Sequence, residues 1–156
     1  MIRKLAPIVA ILVTLIACSK DKFQTEPSLE VKSHSEVVAV QSSFTVSLEF
    51  TDKEGDLSGA GDSTLWYKAE LLNTRRLSQG VPREYFDGYA PLPEFPDKSS
   101  GEIQFRLEYR DFYKEIDERR EGFDKNDTIR IRFAVKDRAG NLSDTAITGN
   151  IVLLGQ

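Results

Sequence analysis

The chain has 156 residues, of which 29% are charged and 40% hydrophobic, and its formal net charge is −4 at pH 7. A negatively charged chain without a basic patch lacks the surface that neutralises phosphates, so we expect no nucleic-acid partner. One cysteine and one histidine provide neither a disulfide nor a zinc-thiolate cluster. The sequence also contains no glycine-rich phosphate loop and no nucleophile elbow, so we expect that it is not an enzyme.

The first 18 residues have the pattern of an export signal. Arg3 and Lys4 precede an apolar run over residues 5–16, which ends in the sequence Leu-Ile-Ala-Cys at residues 15–18. The run is too short to span a bilayer comfortably, and a small residue precedes the cysteine. This segment resembles a bacterial lipoprotein signal peptide with its lipobox. The resemblance implies cleavage before Cys18 and attachment of fatty acyl chains such as palmitate to Cys18, which would anchor the protein in a membrane.

The sequence after Cys18 divides into a short polar segment and one domain. Residues 18–28 are rich in charged and polar side chains, with Phe23 as an isolated aromatic, so they cannot bury enough surface to fold alone. We therefore predict a signal peptide over 1–17, an acylated flexible tether over 18–28 and a single domain over 29–156.

Alternation of apolar and polar residues with period two predicts strands throughout the domain. The clearest alternation covers 44–51, 65–72, 102–109 and 128–136, and weaker candidates cover 29–33, 37–40 and 145–154, the last interrupted by Gly149 and Asn150. Residues 110–121 have no wide apolar stripe, and we interpret them as a strand continuation followed by a charged loop.

About seven short strands without helices predict an all-β fold, an immunoglobulin-like antiparallel β-sandwich. Turn-forming residues over 136–142 separate two β-rich runs and predict a hairpin at the end of the fold. By analogy with such sandwiches, Trp66 is the candidate for the central core aromatic.

Two acidic loops are the candidates for a metal site. One follows the strand at 44–51, the other is the hairpin at 136–144, and both are expected at the same end of the sandwich. Their oxygen-bearing side chains suit Ca²⁺, the one cofactor we consider possible. The candidate ligands are Asp52, Glu54, Asp56, Asp137, Asn141 and Asp144. The alternative is that these side chains only shape turns by accepting hydrogen bonds from nearby backbone amides.

A proline-rich and aromatic segment over 79–101 is the candidate partner-binding region. Stiff backbone and aromatic rings favour recognition of a protein or a glycan. Its candidate contact residues are Tyr85, Phe86, Tyr89 and Phe95. The alternative is that these rings fold back to cover a sheet edge, and residues 85–89 could themselves form a short edge strand.

The signal peptide, the tether and the runs at 50–57 and 135–141 resemble small immunoglobulin-like lipoproteins of the Bacteroidetes cell envelope. This resemblance covers the signal and two loops, and it implies a lipid-anchored protein of the envelope, at the periplasmic or surface face of the outer membrane. Together with the absence of catalytic motifs, it leads us to expect a non-catalytic binding or structural module in an envelope assembly. The alternative is an accessory glycan-binding lipoprotein of a polysaccharide-uptake system.

Overall fold

The computed structural model describes residues 25–58, 64–73, 87–109 and 125–155. The predicted signal peptide, Cys18 and the predicted strand continuation at 110–121 lie outside these ranges. The described residues contain no α-helix and form nine strands. The strands are β1 (Ser28–His34), β2 (Val37–Val38), β3 (Ser43–Thr51), β4 (Thr64–Leu71), β5 (Asp87–Pro91), β6 (Ser100–Glu108), β7 (Asp127–Lys136), β8 (Ala146–Ile147) and β9 (Ile151–Leu153).

The strands form two sheets. The smaller sheet has the order β1-β3-β6, and the larger has the order β2-β9-β7-β4-β5, with β8 also paired to β7. The pairs are antiparallel, as in the predicted antiparallel sandwich, except the short edge pair of β2 with β9, which is parallel. The strand number exceeds seven because the predicted strand over 145–154 is divided into β8 and β9, and because β5 is present in addition to the seven predicted strands.

The core lies between the two sheets and follows the predicted alternation. In β3, Phe44, Val46 and Leu48 are fully buried, and the odd-numbered residues of β7 are buried from Asp127 to Val135. The Phe105 ring of the smaller sheet lies 5.1 Å from the Phe133 ring of the larger sheet, in an edge-to-face arrangement. These contacts across two layers confirm the all-β, immunoglobulin-like sandwich.

Trp66 is not a core residue. Its side chain is 39% exposed, whereas Leu65 and Ala69 of the same strand are buried. Because successive side chains of a strand point to opposite faces, a buried Leu65 places Trp66 on the outer face. The assignment of Trp66 to the core is therefore wrong. Among the described residues the aromatic residues of the core are Phe44, Phe50, Phe105, Tyr109 and Phe133.

The predicted last strand over 145–154 is divided into β8 and β9 at Gly149 and Asn150. The pairing with β7 shifts by one residue between β8 and β9, which is a β-bulge at the interruption that the sequence shows. At the break, the Gly149 amide donates to His34 Nε2 at 3.1 Å. Since Nε2 accepts this bond, the ring proton is on Nδ1, which lies 3.0 Å from the Ser35 carbonyl oxygen and donates to it. His34 thus joins β1 to the last strand.

The end of the predicted tether belongs to the folded domain. Pro27 is buried, and β1 begins at Ser28. The Thr25 carbonyl oxygen accepts a hydrogen bond from the Asn141 side-chain amide at 3.2 Å. Residues 25–28 are therefore fixed to the domain, in contrast to the predicted flexible segment reaching residue 28. Within the described ranges there is no helix with the length and hydropathy of a membrane span.

Candidate functional site

The loop after β3 meets the hairpin between β7 and β8. The Ala139 amide donates to Asp56 Oδ2 at 3.1 Å, and the Arg138 Nε donates to the Asp56 carbonyl oxygen at the same distance. Asp137 begins the hairpin and is fully buried. We call Asp52, Asp56, Asp137 and the hairpin residues Arg138 and Ala139 the acidic junction. The expectation that these two loops lie at one end of the sandwich is confirmed.

Several carboxylate oxygens of the acidic junction stabilise turns. Asp52 Oδ1 accepts from the Glu54 amide at 3.1 Å, and the turn closes through Gly55, whose φ is 72°. Asp137 accepts from the Asn141 backbone and side-chain amides at 2.7 and 2.8 Å. The turn-forming alternative therefore accounts for both oxygens of Asp137 and for one oxygen of Asp52.

Two carboxylate oxygens of the acidic junction have no hydrogen-bond partner among the residues that the structure describes. Asp52 Oδ2 and Asp56 Oδ1 are both buried and unpartnered, and the Asp52 residue is only 1% exposed. Burial raises the pKa of Asp56 above its ordinary value, and the negative charges of Asp137 and Asp52 raise it further. The acidic junction thus holds more negative charge than its own hydrogen bonds neutralise.

The six predicted calcium ligands do not all converge. Glu54 and Asp144 are exposed, and the Asn141 amide is bonded to Asp137 and Thr25. Among the described residues, no group of three or more histidine, cysteine, aspartate or glutamate side chains is placed to hold a metal. Any cation at the acidic junction would need carbonyl or water oxygens in addition to carboxylates.

The second candidate site is the outer face of the larger sheet. Trp66 on β4 lies directly opposite Tyr89 on β5, and also opposite Ala134 on β7. Opposite residues of neighbouring strands share a face, so the two aromatic side chains lie side by side, about 5 Å apart at their Cβ atoms. Trp66 is 39% and Tyr89 75% exposed. We call Trp66, Tyr89 and Ala134 the aromatic row.

Paired charges border the aromatic row. In the adjacent row, Lys68 lies 3.6 Å from Asp87 across β4 and β5. Arg132 on β7 lies 3.2 Å from Glu70 on β4. Because both of these positive groups have a negative partner, the two pairs offer hydrogen-bonding groups to the surroundings of the rings and add little net charge. Exposed pairs of this kind contribute little to stability.

The large exposed apolar side chains of the described residues are associated with one of the two sheets. In the described ranges, all the large exposed hydrophobic residues belong to the larger sheet or to segments that directly flank its strands, namely Val37, Trp66, Leu72, Tyr89, Leu142 and Ile147. The outer face of the smaller sheet is polar instead, with Lys32 bonded to Glu102 at 2.8 Å and Glu102 also accepting from Ser47. In the part of the chain that the structure describes, the larger sheet and its flanking segments therefore present the large apolar side chains that a partner could contact.

The proline-rich segment has two different parts. Tyr89 lies in β5, an edge strand as predicted although it spans residues 87–91, and Tyr89 is exposed. Phe95, in contrast, packs on Phe50, with 5.7 Å between ring centroids, and Leu92 is buried. Phe95 thus covers the core, as the alternative interpretation holds. Tyr85 and Phe86 lie outside the described residues.

A groove of about 470 Å³ opens between the edge strands β5 and β6. Its walls include Tyr67, Leu92 and Phe105, and Tyr89 lies at its rim. No cluster of catalytic side chains lines this groove among the described residues. The groove and the aromatic row share Tyr89.

Comparison with known proteins assigns no family. No protein-family model and no curated protein matches the chain. Similar solved structures include the PKD domain of an M14-like peptidase from a Thermoplasmatales archaeon, with 15% identity, 83% of this chain and 93% of that chain covered, and a TM-score of 0.38. The solution structure of a late embryogenesis abundant protein has 11% identity and a TM-score of 0.49, and the match covers 99% of this chain and 88% of that chain.

A β-glucosidase from Listeria innocua in complex with glucose is also similar, at 12% identity and a TM-score of 0.39. It covers 85% of this chain, but this chain spans only 16% of the glucosidase. A match to so small a part of an enzyme gives no reason to assign its reaction to this chain. Likenesses this distant leave the function to be argued from the surface of the domain itself.

Proposed function

We propose that this chain is a non-catalytic binding module of a bacterial cell envelope, anchored in the outer membrane through lipid on Cys18. The order of basic residues, apolar run and cysteine in residues 1–18 supports the anchor. Two or more acyl chains on one cysteine give durable attachment, at about 0.8 kcal/mol for each buried methylene. The domain would then act where the anchor holds it, on a partner in the same envelope.

The distribution of exposed apolar groups is the observation that carries the binding role. Aromatic side chains are enriched among the residues that dominate binding energy at protein interfaces. Here Trp66 and Tyr89 are adjacent and exposed on one sheet, whereas the other sheet is polar. A module of an assembly needs one face that associates and one that stays in water, and this domain has that asymmetry. We take an envelope protein as the first candidate partner.

Lipid attachment can be tested on the full chain expressed in a Gram-negative host. Mass spectrometry should find the mature protein beginning at Cys18 and carrying fatty acyl chains. The Cys18→Ser variant should lose acylation and leave the membrane fraction. An uncut wild-type chain without fatty acid would disprove the anchor, whatever the domain binds.

Partner binding can be tested by crosslinking and affinity capture of the lipidated chain from native membranes. Combining Trp66→Ser with Tyr89→Ser should lower recovery of the specific partner at least tenfold. A matched double variant on the smaller sheet, Thr45→Ser with Glu49→Gln, should recover it as the wild type does. An equal loss of the partner in both double variants, or no loss in either, would contradict binding through the larger sheet.

A glycan is the second candidate ligand, and the exposure of Trp66 is the observation that favours it. Two neighbouring rings surrounded by charge-paired side chains suit a neutral polyhydroxylated ligand that stacks on the rings and bonds to the polar border. Trp66 is the only tryptophan of the chain, so its fluorescence reports on this surface alone. A saturable change in tryptophan fluorescence on titration with oligosaccharides, absent in Tyr89→Ser, would support a glycan ligand. No change in fluorescence with any oligosaccharide would leave a protein as the partner.

A further inference from the structure

We propose that Asp52 and Asp56 bind one Ca²⁺ ion at the acidic junction. The proposal rests on two unpartnered carboxylate oxygens of the acidic junction. Buried polar atoms in native proteins almost always have a hydrogen-bond or ionic partner, and an unpaired one costs free energy. Asp52 Oδ2 and Asp56 Oδ1 lack one in the described part of the chain. Asp52 is almost wholly buried, so bulk water does not compensate it.

The positive groups around the acidic junction do not reach these oxygens. The guanidinium of Arg138, a residue of the acidic junction, donates to the Asp56 carbonyl oxygen and to Asp97 Oδ1. In the described ranges, no salt bridge joins a lysine or arginine to Asp52 or Asp56. The negative charges of Asp137 and Glu54 also act on Asp56. A small external cation would neutralise this excess.

The chemistry of the donors selects calcium over other metals. Carboxylate and carbonyl oxygens suit a hard cation, and within the described ranges no histidine joins the acidic side chains to supply the nitrogen that zinc prefers. Two carboxylates provide fewer oxygens than calcium needs, so carbonyls and water would complete the six to eight ligands. Calcium tolerates this irregular set, whereas Mg²⁺ demands near-ideal octahedral geometry.

The position of the acidic junction indicates what the ion would do. Asp52 follows β3 of the smaller sheet, and Asp56 is bonded to the hairpin that follows β7 of the larger sheet. Asp52 and Asp56 lie on the same loop, so a cation held by both would stiffen that loop and hold Asp56 in place to accept from the Ala139 amide of the hairpin. The inference is independent of the partner that the aromatic row binds.

Calorimetric titration of the mature chain with CaCl₂ at pH 7, after removal of divalent ions, tests the inference. We expect one site of micromolar to millimolar affinity, the range of calcium modules, and no comparable site for MgCl₂. At ten times the dissociation constant, the melting temperature should rise by roughly 3–5 °C.

Asp56→Asn should lower the affinity at least tenfold while the domain stays folded, since the substitution removes a repelled charge. Asp144→Asn is the matched control, because Asp144 is an exposed carboxylate of the same hairpin region and should bind like the wild type. Absence of both heat and a melting shift at 10 mM calcium would overturn the inference. So would an affinity unchanged in Asp56→Asn or equally reduced in Asp144→Asn.

Discussion

The ring of Phe50 lies against the backbone of Gly101, its direct partner on the neighbouring strand. A Cβ atom built on Gly101 would lie 2.8 Å from Phe50 Cε1. The same relationship joins Tyr67 to Gly88, also direct partners, in the larger sheet. In both pairs an aromatic side chain fills the space that a glycine leaves on the face of the sheet.

Gly101→Ala should destabilise the domain by about 1–3 kcal/mol, because the methyl group overpacks a ring that is only 2% exposed. Gly88→Ala should cost less, since Tyr67 is only partly buried beside an edge strand and can move. Urea unfolding monitored by circular dichroism checks the order. In a Phe50→Leu background the cost of Gly101→Ala should shrink, and an undiminished cost would show that the ring contact is not its cause.

Tyr109→Phe should lower stability by about 1 kcal/mol. The Tyr109 hydroxyl donates to the Leu154 carbonyl oxygen at 2.7 Å, and the ring is almost fully buried, so the bond fastens the chain end after β9 to the end of β6. Tyr89→Phe removes a hydroxyl from an exposed ring and serves as the control with little expected change. Equal melting temperatures for all three proteins would contradict the role of this bond.

Much of this fold follows from period-two alternation, and the errors have physical causes. In β4 the alternation places Leu65 and Trp66 on opposite faces, so the phase of the pattern gives the outward direction of Trp66. The analogy with sandwiches that bury a tryptophan gives the opposite and wrong answer. Alternation cannot reveal the parallel pairing of Val37 with Val152. This pairing depends on where β1 ends and where the chain crosses to the other sheet.

The candidate site was accessible to sequence reasoning only in part. The two acidic loops are recognisable as turn formers, and their meeting at one end follows from the order of strands. Which oxygens remain unpaired depends on single hydrogen bonds such as that from Ala139 to Asp56. Likewise, the row of Trp66 and Tyr89 requires the register of β4 with β5, which the intervening sequence does not encode in any simple pattern.

Asp56→Asn should stabilise the calcium-free protein at neutral pH. The raised pKa of Asp56 means that the folded state binds the proton more tightly than the unfolded state. The contribution of the Asp56 carboxyl group to stability therefore falls as the pH rises from its ordinary pKa through its raised pKa. Below the ordinary value of 3.8 the carboxyl is neutral in both states, and the variant should then match the wild type. Thermal unfolding of both proteins in EDTA from pH 3 to pH 7 measures the difference in melting temperature between the variant and the wild type. This difference should increase with pH. A constant difference would contradict the pKa shift.

Ser143→Ala should destabilise the domain by about 1–3 kcal/mol, because it leaves a buried amide unpaired. β8 and β9 do not pair with the whole length of β7, and side-chain hydroxyls accept from two of its amides instead. The Ser143 hydroxyl accepts from the Val135 amide at 3.0 Å, and the Thr148 hydroxyl accepts from the Ile131 amide at 3.0 Å. Amide hydrogen exchange at Val135 should accelerate in Ser143→Ala. Thr145→Ala, at an exposed position of the same segment, is the control. Unchanged protection of Val135 would show that another group satisfies its amide.

The aromatic row as the contact surface is tested most directly by photocrosslinking in intact cells. A photoreactive amino acid at position 89 of the lipidated full chain should give a discrete crosslinked product, and Trp66→Ser in the same chain should abolish it. The same amino acid at position 49, on the polar outer face of the smaller sheet, should give none. Products of equal yield from both positions, or a product at position 89 that survives Trp66→Ser, would contradict the account.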